Sequence, residues 1–253
     1  IVPRGTWPHL DRSPSTVIAM RLGLVAGVSI LVACHAPAYD VIIRGGTLYD
    51  GSGSRGVAAD LGIRGDTMAA IGDLSGSSSR TLLDARGLAV TPGFINMLSW
   101  AGDGFLVDGR SQADIRQGVT LEIFGEGESM GPFTDTMIAE AVQSQGDIKY
   151  AITWHTLGGY LDTLVARGVS PNVASFVGAA TVRQYVLGHQ SRPATADELA
   201  RMQNLVRSAM REGALGVGSS LIYEPGMFAT TDELIALARA AADNGGMYIS
   251  HIR

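Results

Sequence analysis

Short apolar runs broken by turn residues mark the chain from Tyr39 to Gly93. Residues 41–44 read as a strand, Gly45-Gly46 as a turn, and residues 47–49 as its return, with Asp50-Gly51-Ser52-Gly53 as a second turn. Residues 60–64 alternate, Gly65-Asp66 turns, residues 68–71 run back, and residues 82–90 add an extended piece. Several short strands at such close spacing predict a small β-sandwich or open barrel over residues 39–93.

After Pro92-Gly93 the rhythm changes. Apolar, strand-like runs fall near residues 94, 120, 172, 214 and 247, and helical patterns lie between them. Helices are expected over 112–117, 134–143 and 161–167. Another should run from the Thr195-Ala196-Asp197-Glu198 cap to about Arg211, and one from a Thr231 cap to about Asp243. Strands alternating with helices predict parallel βα units. Five such strands are too few to close an eight-stranded barrel.

The two ends carry their own signals. The first Met is Met20, followed by Arg21 and by twelve uncharged residues, 22–33. That run is shorter than the about 20 residues a bilayer span needs and fits the apolar core of an export signal. It ends in Leu31-Val32-Ala33-Cys34, which resembles the bacterial lipoprotein signal and makes Cys34 the expected lipidation site. On this reading residues 1–38 are upstream sequence and signal, and the product is exported, periplasmic or anchored to the membrane through Cys34. At the other end the chain stops at His251-Ile252-Arg253, directly after a strand-like run, and is read as a fragment.

Composition narrows the chemistry. Of 253 residues, 46% are hydrophobic, enough to build a core, and the net charge of −5 comes with no basic cluster, which argues against a nucleic-acid partner. A single cysteine excludes an internal disulfide and any Cys-rich zinc module. Lys149 is the only lysine, so chemistry that needs an amine has one candidate. Gly125-Glu126-Gly127 lacks the lysine of a phosphate-binding loop.

Four segments together point further. Residues 39–46 (YDVIIRGG), 88–95 (LAVTPGFI), 213–226 with Leu221-Ile222-Tyr223-Glu224-Pro225-Gly226, and 245–253 (GGMYISHIR) resemble, in order and spacing, the amidohydrolase superfamily and most of all its D-aminoacylase branch. The resemblance implies an α/β fold: a partial TIM barrel of about five of eight βα units over residues 94–253, truncated after strand 5, with a small N-terminal β-sandwich domain over 39–93. It implies a metal-dependent hydrolase that opens the amide bond of N-acyl (D-)amino acids or related small amides. A metal-activated water is the nucleophile, because a divalent cation lowers the pKa of bound water toward about 7.

The same resemblance implies the site residues. His251 matches the His that ends the family's fifth strand, a metal ligand. Glu126 falls where the branch carries a Cys ligand, and a carboxylate also binds zinc; Glu128 is the alternative. Tyr223 matches a substrate-contacting Tyr, and Arg253 is placed to hold a substrate carboxylate. A further His and the proton-shuttling Asp are expected beyond Arg253, so no catalytic residue is assigned. The superfamily's Asp-x-His-x-His after Pro-Gly-Phe-Ile is here Asn96-Met97-Leu98-Ser99-Trp100, and neither Leu98 nor Trp100 binds metal. One zinc is therefore expected in the full protein and poor catalysis from this chain alone. Ala179 stands where related enzymes often have His, His155 reads as a surface or packing residue, and His189 receives no role. The competing reading is a non-catalytic lipoprotein binding domain that has lost the chemistry of its fold.

Overall fold

The computed structural model describes residues 36–251. The expected signal segment, Cys34 and Arg253 lie outside the described residues. The chain divides into two compact units, 1–92 and 93–253. Among the described residues no helix is long and apolar enough to cross a membrane.

In the first unit the described residues form one five-stranded mixed sheet. Strands β1 (Tyr39–Leu48), β2 (Val57–Arg64), β3 (Thr67–Gly72), β4 (Ser79–Asp84) and β5 (Ala89–Val90) are arranged β3-β2-β1-β4, with β5 also pairing β1. The turn expected at Gly45-Gly46 is instead a bulge inside one long strand, since the β1–β2 register shifts between Ile43 and Gly46. Gly45 takes φ +72°, and its N–H donates to Asp60 Oδ1 at 2.8 Å, so the backbone kinks without reversing. Asp60 Oδ2 accepts from Leu74 N at 3.1 Å, so one carboxylate fixes two backbone segments. The extended piece expected over 82–90 is split in two by a turn in which Leu88 N donates to Ala85 O. Among the described residues of this unit, Ile42, Leu61, Leu74 and Ala85 are the buried side chains.

The second unit is mixed α/β. Parallel strands β6 (Phe94–Asn96), β7 (Val119–Phe124) and β8 (Asn172–Ser175) form one sheet, and β9 (Val177–Gly178), β10 (Gly216–Ser220) and β11 (Met247–His251) form another. Strands β8 and β9 are two halves of one extended segment broken at Phe176, whose N–H donates to Phe124 O at 2.9 Å. The first half pairs with β7 and the second with β10. Five parallel runs thus follow one another in chain order, at the five places where the apolar pattern puts strands.

Helices α1 (Gln112–Ile115), α2 (Asp135–Ser144), α3 (Leu157–Arg167), α4 (Ala179–Leu187), α5 (Ala196–Arg211) and α6 (Thr231–Ala242) connect them. α5 opens with the expected capping box: Glu198 N donates to Thr195 Oγ1, and Glu198 Oε2 accepts from Thr195 N. It buries Met202, Val206 and Ala209 on one stripe. α6 is capped by Thr230, one residue before the expected Thr231, because the Thr230 hydroxyl reaches Glu233 N. α3 begins four residues earlier than its apolar stretch indicates, because Thr156 accepts from Gly159 N and starts the helix ahead of it. α4 carries no sequence signal, having a glycine N-cap and five consecutive buried residues, 179–183, in place of an amphipathic stripe.

One member of that run is charged. Arg183 is fully buried, and its Nη1 donates to the equally buried Glu233 Oε2 at 2.7 Å, while its Nη2 donates to the carbonyls of Gln190 and Arg192. The pair ties α4 to α6 through the interior. Elsewhere in this core Phe124 packs edge to face with Phe105 and Tyr160, centroids 5.8 and 6.4 Å apart, and Trp154 tilts at 49° against Tyr160 at 5.4 Å.

The loop after β7 lies directly against the ends of β9 and β10. A Cβ on Gly178 would sit 2.4 Å from Gly127 O, and one on Gly218 would sit 2.2 Å from Gly125 O. Gly178 and Gly218 are register partners, so the two bare positions form one shallow seat for residues 125–128. On the loop itself, Gly125 (φ +92°) and Gly127 (φ +89°) take backbone conformations that other residues avoid. Hydrogen bonds hold the loop down: Ala180 N to Gly127 O, Gly178 N to Ser129 Oγ, and Ser129 N to Thr181 Oγ1.

Two outcomes follow for stability. Glu233→Gln leaves a buried guanidinium without its counter-charge and should cost about 3–5 kcal/mol in urea unfolding. Gly218→Ala should cost about 1–3 kcal/mol, since the new methyl meets backbone that has no room to move, whereas Gly76→Ala, in open space, should be tolerated.

Candidate metal centre

His251 is the last residue of β11, and its Cα is paired in register with Ser220 at the end of β10. Leu221 N donates to His251 O at 3.1 Å, closing the two strands at this point. Glu126 arrives from the third side on the glycine-seated loop. Its Oε2 lies 3.5 Å from His251 Nδ1. The Glu126 side chain is mostly buried, at 13% exposed, and His251 is half open, at 41%. Tyr223, in the loop after β10, packs edge to face on the His251 ring with centroids 6.1 Å apart.

Two polar atoms here are buried with no hydrogen-bond partner: Glu126 Oε2 and Ser220 Oγ. An unsatisfied buried carboxylate oxygen beside an imidazole nitrogen has the donor chemistry of a divalent cation site, O plus N. The residues thus fit a zinc-type ion as part of its coordination. They do not complete it, since among the described residues no group of three or more His, Cys, Asp or Glu side chains is gathered to hold an ion.

Glu126 also lines a cavity of about 600 Å³, with Trp100, Asp103, Glu128, Phe133 and Tyr150 on its wall. Glu128 points into this space. Surrounding protein desolvates its carboxyl and raises its pKa above the ordinary value. Glu128 therefore shares the cavity with Glu126, while Glu126 is the carboxylate that faces His251.

The structure gathers three of the residues named from sequence, Glu126, His251 and Tyr223, at one place. Arg253 and Cys34 lie outside the described residues. Leu98 and Trp100 are both exposed, at 46% and 63%. Asn96 turns its amide to the fully buried Glu122, with Nδ2 donating to Oε2 at 3.0 Å. His155 pairs with Asp135 at 2.8 Å, and His189 lies 3.5 Å from Glu140. Ala179 is buried at the first turn of α4. Sequence reasoning missed Ser220, Gly178 and Gly218. Glycines inside strands were the available signal, because they mark places where another backbone comes close.

No protein-family model matches the chain. D-aminoacylase of Alcaligenes xylosoxydans xylosoxydans is 37% identical over 220 residues, which are 85% of this chain and 44% of that protein. A structure of D-aminoacylase described for its binuclear metal centre, with one-metal activation and second-metal attenuation, superposes with a TM-score of 0.75 at 35% identity, over 85% of this chain and 45% of that one. N-acyl-D-glutamate deacylase from Bordetella bronchiseptica, complexed with zinc and a phosphonate inhibitor that mimics the tetrahedral intermediate, superposes with a TM-score of 0.74 at 33% identity and the same coverage. The chain spans under half the length of the curated relatives it matches. Over the shared residues, the chain belongs to the D-aminoacylase branch of the amidohydrolase superfamily.

Proposed function

We propose that this chain carries part of a metal-dependent amidohydrolase that opens the C–N bond of N-acyl D-amino acids or related small amides. Its five parallel runs are read as the first five strands of a (β/α)₈ barrel, and the N-terminal sheet as one layer of a sandwich. The observation that carries the functional reading is the approach of Glu126 Oε2 to His251 Nδ1, with that oxygen otherwise unsatisfied. A single zinc is the expected cofactor, held by Glu126, His251 and at least one more protein ligand, since zinc sites use three or four.

When bound, the cation supplies Lewis acidity and a water of lowered pKa. The chain's own residues do the rest. Glu126 brings a negative charge that offsets the cation. His251 is positioned by the β10–β11 ladder, so its ring cannot drift along the strand. Tyr223, set edge to face against that ring, presents a phenol at the rim for a substrate oxygen. Protonation of the departing amine needs an acid that the described residues do not place at this site. Cys34 is read as a lipid anchor for an exported protein.

A second reading has its own support. Leu98 and Trp100 occupy the positions of the superfamily's first-strand His pair, as a binding domain without chemistry would have them. Metal analysis separates the two readings. The intact protein should retain about one zinc per chain and hydrolyse N-acyl D-amino acids; a metal-free, inactive protein supports the binding domain. Glu126→Ala should lower zinc affinity by more than the about 10–100-fold that loss of a ligand's hydrogen-bond partner costs. Unchanged zinc content in that variant removes Glu126 from the site.

A further inference from the structure

β10 ends in two successive serines with opposite fates. Ser219 Oγ is fully engaged, 2.6 Å from Tyr248 Oη and 2.9 Å from Ser250 Oγ. Ser220 is just as buried, at 4% exposed, yet its hydroxyl has no partner. Alternation along the strand sends the two side chains to opposite faces. Ser220 shares the face of its register partner His251, and its Cβ abuts Gly127, the residue next to Glu126.

A buried hydroxyl left unpaired is costly, and a second unpaired buried atom, Glu126 Oε2, sits on the residue before Gly127 and 3.5 Å from the ring of Ser220's register partner His251. One is a donor and the other an acceptor, but they do not bond each other. A group seated between them that carries an oxygen and a positive centre would satisfy both. We propose that Ser220 is a further residue of this site and that its hydroxyl donates to an oxygen of the ligand held on the cation there. The substrate class implied is one that develops an oxyanion, as an amide carbonyl does under attack. The assignment rests on the metal reading of Glu126 and His251.

The test compares the intact wild-type protein with Ser220→Ala, which removes only the hydroxyl. Zinc content, affinity for an N-acyl-amino-acid phosphonate, and the thermal midpoint without zinc are measured. Ser220→Ala should keep its zinc and bind the phosphonate about 10–100-fold more weakly, the loss expected for one hydrogen bond to a charged group. Its metal-free midpoint should be unchanged or higher, because the variant no longer buries an unpaired hydroxyl. Equal phosphonate affinity in the two proteins overturns the proposal and leaves the metal site standing. A lower metal-free midpoint also overturns it, by showing that the hydroxyl has an internal partner. Loss of zinc from the variant assigns the hydroxyl to the cation and overturns the donor role. A wild-type protein that takes up no zinc fails the metal reading, and this proposal with it.

Discussion

The candidate centre exists because two pieces of backbone touch. Residues 125–128 rest on β9 and β10 where Gly178 and Gly218 have no side chains, and any Cβ there would lie inside van der Waals contact of a carbonyl oxygen. A loop lifted by one methyl would carry Glu126 away from β11, and 3.5 Å to His251 leaves little margin. Placement of the carboxylate is thus a packing result more than an electrostatic one. The hydrogen bonds from Ala180, Gly178 and Ser129 fix the loop once the glycines let it approach.

Polar groups in the interior divide into two kinds. The Nη atoms of Arg183, with Glu233, Ser129 and Ser219, are buried and bonded, and they join one element to another. Among the described residues five buried side-chain atoms lack a hydrogen-bond partner: Arg44 Nε, Glu122 Oε1, Arg183 Nε, Glu126 Oε2 and Ser220 Oγ, and the last two stand by His251. Folded chains pair nearly all their buried polar atoms. The other three lie on separate elements, β1, β7 and α4, whereas these two fall together beside one imidazole.

Much of the second unit was legible in the sequence. Each of its five strand positions has a run of apolar residues, and the Thr195–Glu198 box announces α5 without help from tertiary structure. α4 was not legible, because a helix buried on several sides has neither a polar face nor a side-chain cap to signal it. Gly45-Gly46 shows another limit: the same dipeptide serves a turn or a bulge, and the distant Asp60 carboxylate decides between them. At the site, Glu126, His251 and Tyr223 were named from resemblance, while Ser220 was silent. A serine in a strand has no pattern of its own, and only its register with His251 gives it meaning.

The contact between Asn96 and Glu122 has a bearing on any substitution at position 96. The two residues are cross-strand partners, and an amide facing a carboxyl is a compatible pair in a dry setting. Replacing Asn96 with aspartate would set two acid groups against each other at about 3 Å, where like charges repel. Position 96 is consequently coupled to position 122, and an acid at one is accommodated only beside a neutral partner at the other.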